Sequence, residues 1–196
     1  MADIGWVSLV WPIPLCKVIT QGFGERPDYY AQFQWKIGHS GLDIRTRTDG
    51  YPSGIGTPIV AARGGTVRHA GEHFYPDGRA TGYGIAIELR HTDGSRTLYA
   101  HLSKVRVQKG ESVLAGQHIG DGGQTGNADG PHLHFELWVP PFTEQGVWGR
   151  RDPTAYIEEV TFGGVGIRSL EPEEPIHQER SLDDATCTCP PFIPEP

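Results

Sequence analysis

The amino-acid sequence predicts a mainly β fold of short strands joined by many turns. Gly (27) and Pro (16) make up more than a fifth of the 196 residues, so few stretches of helical length lack one of them. Two segments, 83–102 and 132–137, alternate side chains with the two-residue period of a strand. We therefore expect one compact, mostly antiparallel β domain over residues 1–160.

Composition and charge exclude several classes of protein. The chain is 37% hydrophobic and 21% charged, which is ordinary for a soluble domain with a core. Its net charge of −7 lies mostly after residue 167, where seven acidic residues and two arginines give −5. A nearly neutral body without a basic stripe does not indicate a nucleic-acid partner, and no stretch approaches the ~20 apolar residues of a membrane span.

The two ends of the chain carry weaker signals. The N-terminus is a poor signal peptide, because an acidic residue comes first and two prolines interrupt its apolar run. Residues 161–196 form an acidic, Pro-rich tail that we expect to be extended or disordered. The tail cysteines Cys187 and Cys189 are expected to be free thiols, and the third cysteine, Cys16, leaves no disulfide framework.

The elements follow one another as short strands and turns. Residues 56–71 hold two short apolar runs, and residues 83–102 give the clearest hairpin, with its turn at Asp93 and Gly94. In its second strand Thr97, Tyr99 and His101 share a face. Residues 107–123 add a strand, a turn and another apolar run.

The stretch "GPHLHFEL", residues 130–137, places two histidines one residue apart on a strand. His132, His134 and Glu136 share one face, and the other face is apolar and can pack into a core. A metal ion, or a substrate that develops charge, would explain two neighbouring imidazoles. Glu136 either orients a metal-binding histidine or is a solvated carboxylate.

The stretch "GHSGLD" offers a second group of candidate ligands. His39 and Asp43 are four residues apart with Gly41 midway, so on an extended segment they face the same way, and the glycine leaves space between them. Together with one histidine of the adjacent pair, they supply two nitrogens and one oxygen. Such a three-ligand set leaves the fourth tetrahedral position of zinc open to water, as in catalytic sites.

Three segments in this order, "GHSGLD", "YAHLS" and "TGNADGPHLHFEL", resemble the signature segments of the lysostaphin/LytM-type zinc endopeptidases, which cut peptidoglycan peptides. The resemblance covers roughly residues 18–158 and implies a duplicated hybrid motif fold with a groove across its sheet. It implies His39, Asp43 and His134 as zinc ligands. It implies His101 and His132 as the pair that activates water and steadies the tetrahedral intermediate.

The resemblance also implies a mechanism and a setting. Zinc lowers the pKa of its water from 15.7 to about 7, and because no HExxH helix supplies a glutamate base, an imidazole must handle the proton. Which histidine is the base stays open. We expect a monomer that acts on the bacterial cell wall, after phage-type release as a lysin, as a virion-borne protein, or with a leader already removed.

Three loops look longer than usual for the family: residues 45–56, 72–83 and 140–150. If they wall the groove, they set which peptide fits. Among the aromatic residues, Phe74, Tyr83, Tyr99 and Trp35 are candidates either for the groove or for the core.

Alternative interpretations remain. The chain is either the enzyme or a non-catalytic module that binds cell wall or a partner in a virion or envelope assembly. The HxxEH pattern at residues 69–73 contains a glycine and follows a predicted strand, so we interpret it as chance. We expect His91, His118 and His177 at the surface.

Overall fold

The computed structural model describes residues 7–32, 37–142 and 148–158, and it confirms the predicted mainly β fold. One five-residue helix (α1, Pro27–Ala31) and one short 3₁₀ helix (Pro153–Tyr156) accompany the strands. The strands are β1 (Ile19–Gln21), β2 (Leu42–Arg45), β3 (Pro58–Val60), β4 (Gly65–Phe74), β5 (Ala80–Arg90), β6 (Arg96–Ala100), β7 (Leu102–Val105), β8 (Ser112–Val113), β9 (His118–Gly122), β10 (His132–Trp138) and β11 (Arg150–Arg151).

The strands form two antiparallel sheets. The larger sheet has eight strands in the order β1-β2-β10-β6-β5-β4-β8, with β11 paired to β10, and the smaller has the order β3-β9-β7. Strand β10 lies between β2 and β6, although more than 80 residues of chain separate β2 from β10. This long-range pairing brings the two histidine-containing motifs side by side.

The hydrophobic core lies on one face of the larger sheet. The apolar face of β10, with Leu133, Phe135 and Leu137, is fully buried there. Tyr99 is also fully buried, and its hydroxyl accepts a hydrogen bond from the backbone amide of Ala62 at 2.7 Å. Tyr99 therefore belongs to the core and not to the groove.

The predicted hairpin forms between β5 and β6, but its strand alternation breaks at His101. The side chains of Thr97 and Tyr99 lie on the same face of β6 and are both fully buried in the core. His101 has a left-handed backbone with φ of 61°, which separates β6 from β7. As a result His101 leaves the face of Tyr99 and lies in the groove, where its ring is 5.9 Å from that of His134. The prediction that His101 shares a face with Thr97 and Tyr99 is wrong for this reason.

The pairing of β2 with β10 depends on a close approach at Gly41. A Cβ on Gly41 would lie 2.3 Å from the carbonyl oxygen of Phe135 and 2.9 Å from Cγ of Glu136. The absence of a side chain at Gly41 therefore allows strand β10 to approach. The sequence suggested instead that the glycine leaves open space between His39 and Asp43.

Of the expectations about the other histidines, the structure confirms those for His69, His73 and His118 and contradicts the one for His91. His69 and His73 lie on strand β4, as expected for a chance match to HxxEH. His91 is only 3% exposed, and its ring makes hydrogen bonds with the carbonyl of Gly64 and the hydroxyl of Thr97. The surface prediction is correct for His118 and wrong for His91.

Several predictions fall outside the described residues, among them Trp35, His177 and the tail at 161–196, so the boundary at residue 160 stays a prediction. Within the described part of the chain, none of the helices is long and apolar enough to cross a membrane.

We predict that Gly41→Ala weakens the β2–β10 pairing, because the new methyl group collides with the backbone of β10. The free energy of unfolding should fall by about 1–3 kcal/mol, measured by denaturant titration. Gly50→Ala is the matched control, since a Cβ at Gly50 meets nothing within 4 Å. Equal stability of the two variants would contradict a packing role for Gly41.

Candidate metal centre and active-site groove

The structure brings all five candidate site residues together on the groove side of the larger sheet. In the β2–β10 register Asp43 lies opposite His134, and His39 precedes β2 by three residues. His132 is the first residue of β10. His101 directly follows β6, which pairs with β10 on the side opposite to β2. Each side chain lines the same groove, which has a volume of about 1000 Å³.

His39, Asp43 and His134 form a compact triangle of possible ligand atoms. Nε2 of His39 is 3.0 Å from Nδ1 of His134 and 3.1 Å from Oδ1 of Asp43, and Nδ1 of His134 is 2.9 Å from that oxygen. These three residues form a His/Asp/His group able to hold a metal ion. Two imidazole nitrogens and one carboxylate oxygen match the donors that zinc prefers.

Backbone carbonyls determine the tautomer of three of the four imidazoles when these rings are neutral. Nδ1 of His39 donates to the carbonyl of Gly22 at 3.0 Å, and Nδ1 of His101 donates to that of Thr125 at 2.8 Å. Nδ1 of His132 donates to the carbonyl of Gly130 at 2.8 Å. Because a carbonyl oxygen only accepts, Nε2 of each neutral ring carries the free lone pair.

His134 is held from behind by a buried carboxylate. Its Nε2 donates to Oε1 of Glu136 at 2.9 Å, so Nδ1 is the nitrogen that faces His39 and Asp43. Glu136 is fully buried, which excludes the solvated alternative. Such a carboxylate behind a histidine orients the ring and raises its basicity.

Glu136 itself is saturated with hydrogen bonds. Oε1 accepts from the hydroxyls of Ser40 at 2.6 Å and Tyr83 at 2.8 Å, and Oε2 accepts from Nε of Arg150 at 2.8 Å and from the indole of Trp138. Every lone pair of this buried anion is therefore satisfied, and its charge is balanced by Arg150.

The charges of this cluster shift the pKa values of its members. Burial alone would lower the pKa of His134, but the hydrogen bonds to Asp43 and Glu136 outweigh it and raise that pKa to about 9. For Glu136 the penalty of burial is exceeded by the charge of Arg150 and the bond from His134, which hold its pKa well below the usual range. Hydrogen bonds from His134 and His39 likewise keep the pKa of Asp43 low despite burial.

His101 and His132 stand together beside the triangle. Their ring centroids are 4.7 Å apart, and Nε2 of His132 lies 3.6 Å from Oδ1 of Asp43. Burial, and then the neighbouring His134 and His132, lower the pKa of His101 to about 4. His101 is therefore a neutral imidazole at neutral pH.

Two of the long loops line the groove, as expected. The end of β4 and the turn after it contribute Phe74 and Tyr75, and the segment after β2 contributes Arg47. Tyr83 lines the groove as well. Part of the third loop, residues 143–147, lies outside the described residues.

Sequence reasoning missed part of the network behind His134. Ser40 lies within the quoted "GHSGLD" motif, but a serine between two candidate ligands gives no separate signal. Arg150 gave no sequence signal, because only the pairing of β11 with β10 brings it to Glu136.

Comparison with known proteins identifies the family. The model of Peptidase family M23 matches residues 38–147, more than half of the chain, so this chain belongs to that family. The DD-carboxypeptidase/endopeptidase Mpg of Neisseria meningitidis serogroup B is 39% identical over 105 residues, covering 54% of this chain and 21% of that protein. Lysostaphin of Staphylococcus staphylolyticus is 38% identical over 113 residues, covering 57% of this chain and 22% of that protein.

Solved structures agree with this assignment. The catalytic domain of the antimicrobial peptidase lysostaphin from Staphylococcus simulans superposes with a TM-score of 0.56 and 34% identity, over 71% of this chain and 90% of that chain. This chain therefore has the fold of an M23 peptidase domain, while it spans only about a fifth of the length of the curated relatives it matches.

We predict that Glu136→Gln destabilises the metal-free protein, because it leaves the charges of Arg150 and His134 buried without their anion. The free energy of unfolding at about pH 7 should fall by about 3–5 kcal/mol, measured by denaturant titration. The exposed Glu72 provides the control Glu72→Gln, which should change little. If the two variants were equally stable, the charge of Glu136 would contribute nothing to folding.

Proposed function

We propose that this protein is a zinc-dependent endopeptidase that hydrolyses an amide bond in the stem or cross-bridge peptides of peptidoglycan. The observation that carries the proposal is the triangle of His39, Asp43 and His134, open to a groove that also holds two further imidazoles. Similarity to lysostaphin, to Mpg and to the "Peptidoglycan DD-endopeptidase ShyA" of Vibrio cholerae, 41% identical over 85 residues, supports the substrate class.

In this proposal His39, Asp43 and His134 are the zinc ligands. The donor set fits the ion, because each of the two imidazoles has its other nitrogen engaged by an acceptor and presents the remaining one to the triangle. When bound, zinc supplies an acidified water at neutral pH and polarises the amide carbonyl.

The protein's own groups then handle the proton. His101 is neutral, its Nδ1–H is engaged by the carbonyl of Thr125, and its Nε2 has a free lone pair, so we assign it as the base. His132, beside it, has its Nδ1–H engaged by the carbonyl of Gly130, so it donates a hydrogen bond to the developing oxyanion from Nε2 when the ring is protonated at both nitrogens. The groove orients the extended peptide across β2 and β10, and we propose that the protein works as a monomer at the bacterial cell wall.

We predict that the purified protein releases soluble fragments from purified peptidoglycan when zinc is present, and that a chelator abolishes the release. His39→Ala and His134→Ala should lose both zinc and activity. His101→Ala and His132→Ala should retain zinc and lose activity by about 100-fold or more. Metal analysis and mass spectrometry of the fragments provide the two readouts.

The control is His118→Ala, an exposed histidine outside the groove, which should behave as wild type. If His132→Ala released zinc while His134→Ala retained it, the ligand assignment would be reversed. If the zinc-loaded wild type bound peptidoglycan without cutting it, the protein would be a binding module instead of an enzyme.

We also predict that zinc affinity depends on pH through His134. Because the pKa of His134 is raised to about 9, the metal-free ring is protonated at neutral pH, and zinc must displace that proton from Nδ1. Affinity should therefore weaken about tenfold for each unit by which the pH falls below about 9. Competition with a chelating dye at about pH 7 and about pH 8 measures this dependence, and equal affinities would show that His134 is neutral without metal.

A further inference from the structure

Two arginines, Arg45 and Arg47, line the groove at the end of the strand that carries Asp43 and just after it. Arg45 ends β2, and Arg47 follows it two residues later, so both continue the side-chain alternation that begins at Asp43. All three side chains line the groove. Thr46, between the two arginines, is fully buried, which fixes the opposite direction for its neighbours.

Arg45 is paired with His132, and Arg47 lies near Pro131, the residue before it. In the β2–β10 register Arg45 lies opposite His132. The position of a Cβ built on Gly54 is 3.0 Å from Cγ of Arg47 and 2.9 Å from Cβ of Pro131, the residue before His132. The aliphatic stem of Arg47 therefore lies near Gly54 and Pro131, at this corner of the groove.

Neither guanidinium has a carboxylate partner within the described parts of the chain. Six other arginines do form ion pairs there: Arg63, Arg68, Arg79, Arg96, Arg106 and Arg150. Asp129 lines the groove and Asp49 follows Arg47 by two residues, yet neither makes an ion pair with these arginines. Within the described residues, Arg45 and Arg47 thus place two positive charges without a carboxylate partner next to the site.

We infer that Arg45 and Arg47 form a subsite for a free carboxylate of the substrate, beside the scissile amide. The inference rests on the proposed function and narrows its substrate class to wall peptides that carry a free carboxylate near the scissile amide, as opposed to uncharged peptides such as glycine bridges. Guanidinium groups bind carboxylates through paired, charge-assisted hydrogen bonds that a carboxamide reproduces poorly.

The test uses two synthetic wall peptides that differ at one group, a free carboxylate in one and its carboxamide in the other. The zinc-loaded wild type should cut the carboxylate peptide with a kcat/KM about tenfold or more above that of the carboxamide peptide. In Arg45→Gln/Arg47→Gln this ratio should fall towards one. The matched control is Arg90→Gln, at an exposed arginine outside the groove, and it should keep the wild-type ratio.

A binding measurement provides a second test of the subsite that does not depend on turnover. Calorimetry with zinc-loaded His101→Ala should show tighter binding of the carboxylate peptide, and the preference should disappear when both arginines are also replaced. Equal kcat/KM values for the two peptides in wild type, or an equal loss on both peptides in the double variant, would overturn the subsite. If the carboxylate peptide bound more tightly but wild type cut neither peptide, the result would support the subsite and overturn the proposed hydrolysis.

Discussion

The antiparallel pairing of β2 with β10 is the constraint on which the rest of the site depends. Its register sets Asp43 opposite His134, two residues that are 91 positions apart in the chain. Gly41 allows the strands to approach, because any side chain there would meet the backbone of Phe135. His39 then lies three residues before β2, and His132 lies at the start of β10, each close to this pair.

Behind the triangle the site is a row of alternating charges that runs into the protein. The guanidinium of Arg150 faces Glu136, Glu136 faces His134, and His134 faces Asp43. The row explains how a fully buried carboxylate is tolerated, since each charge is paired and hydrogen-bonded. It also explains why the pKa of His134 is raised: a positive charge is favoured between two anions, and a bound metal cation would meet the same need.

The periodicity of the sequence was sufficient to predict the β5–β6 hairpin and strand β10 with its polar face, because alternation with period two reports directly on strand faces. It was insufficient at His101, where one left-handed residue reverses the face and no local pattern signals that break. The burial of His91 was missed because its partners, Gly64 and Thr97, are set by tertiary contacts. Arg150 was missed for the same reason, since it reaches Glu136 only through the pairing of β11 with β10.

In the proposed function, the geometry of β2 would couple the position of the metal site to the choice of substrate. Residues two apart on one face of a strand are separated by about 6.8 Å, so Arg45 stands one such step from Asp43 and Arg47 about two. A peptide held in the groove would therefore present its carboxylate at a fixed distance from the amide to be cut. Because Asp43 and Arg45 are carried by one strand, a change in the register of β2 would move both together. Substitution of the arginines, in contrast, would alter the proposed preference for charged peptides while leaving His39, Asp43 and His134 in place.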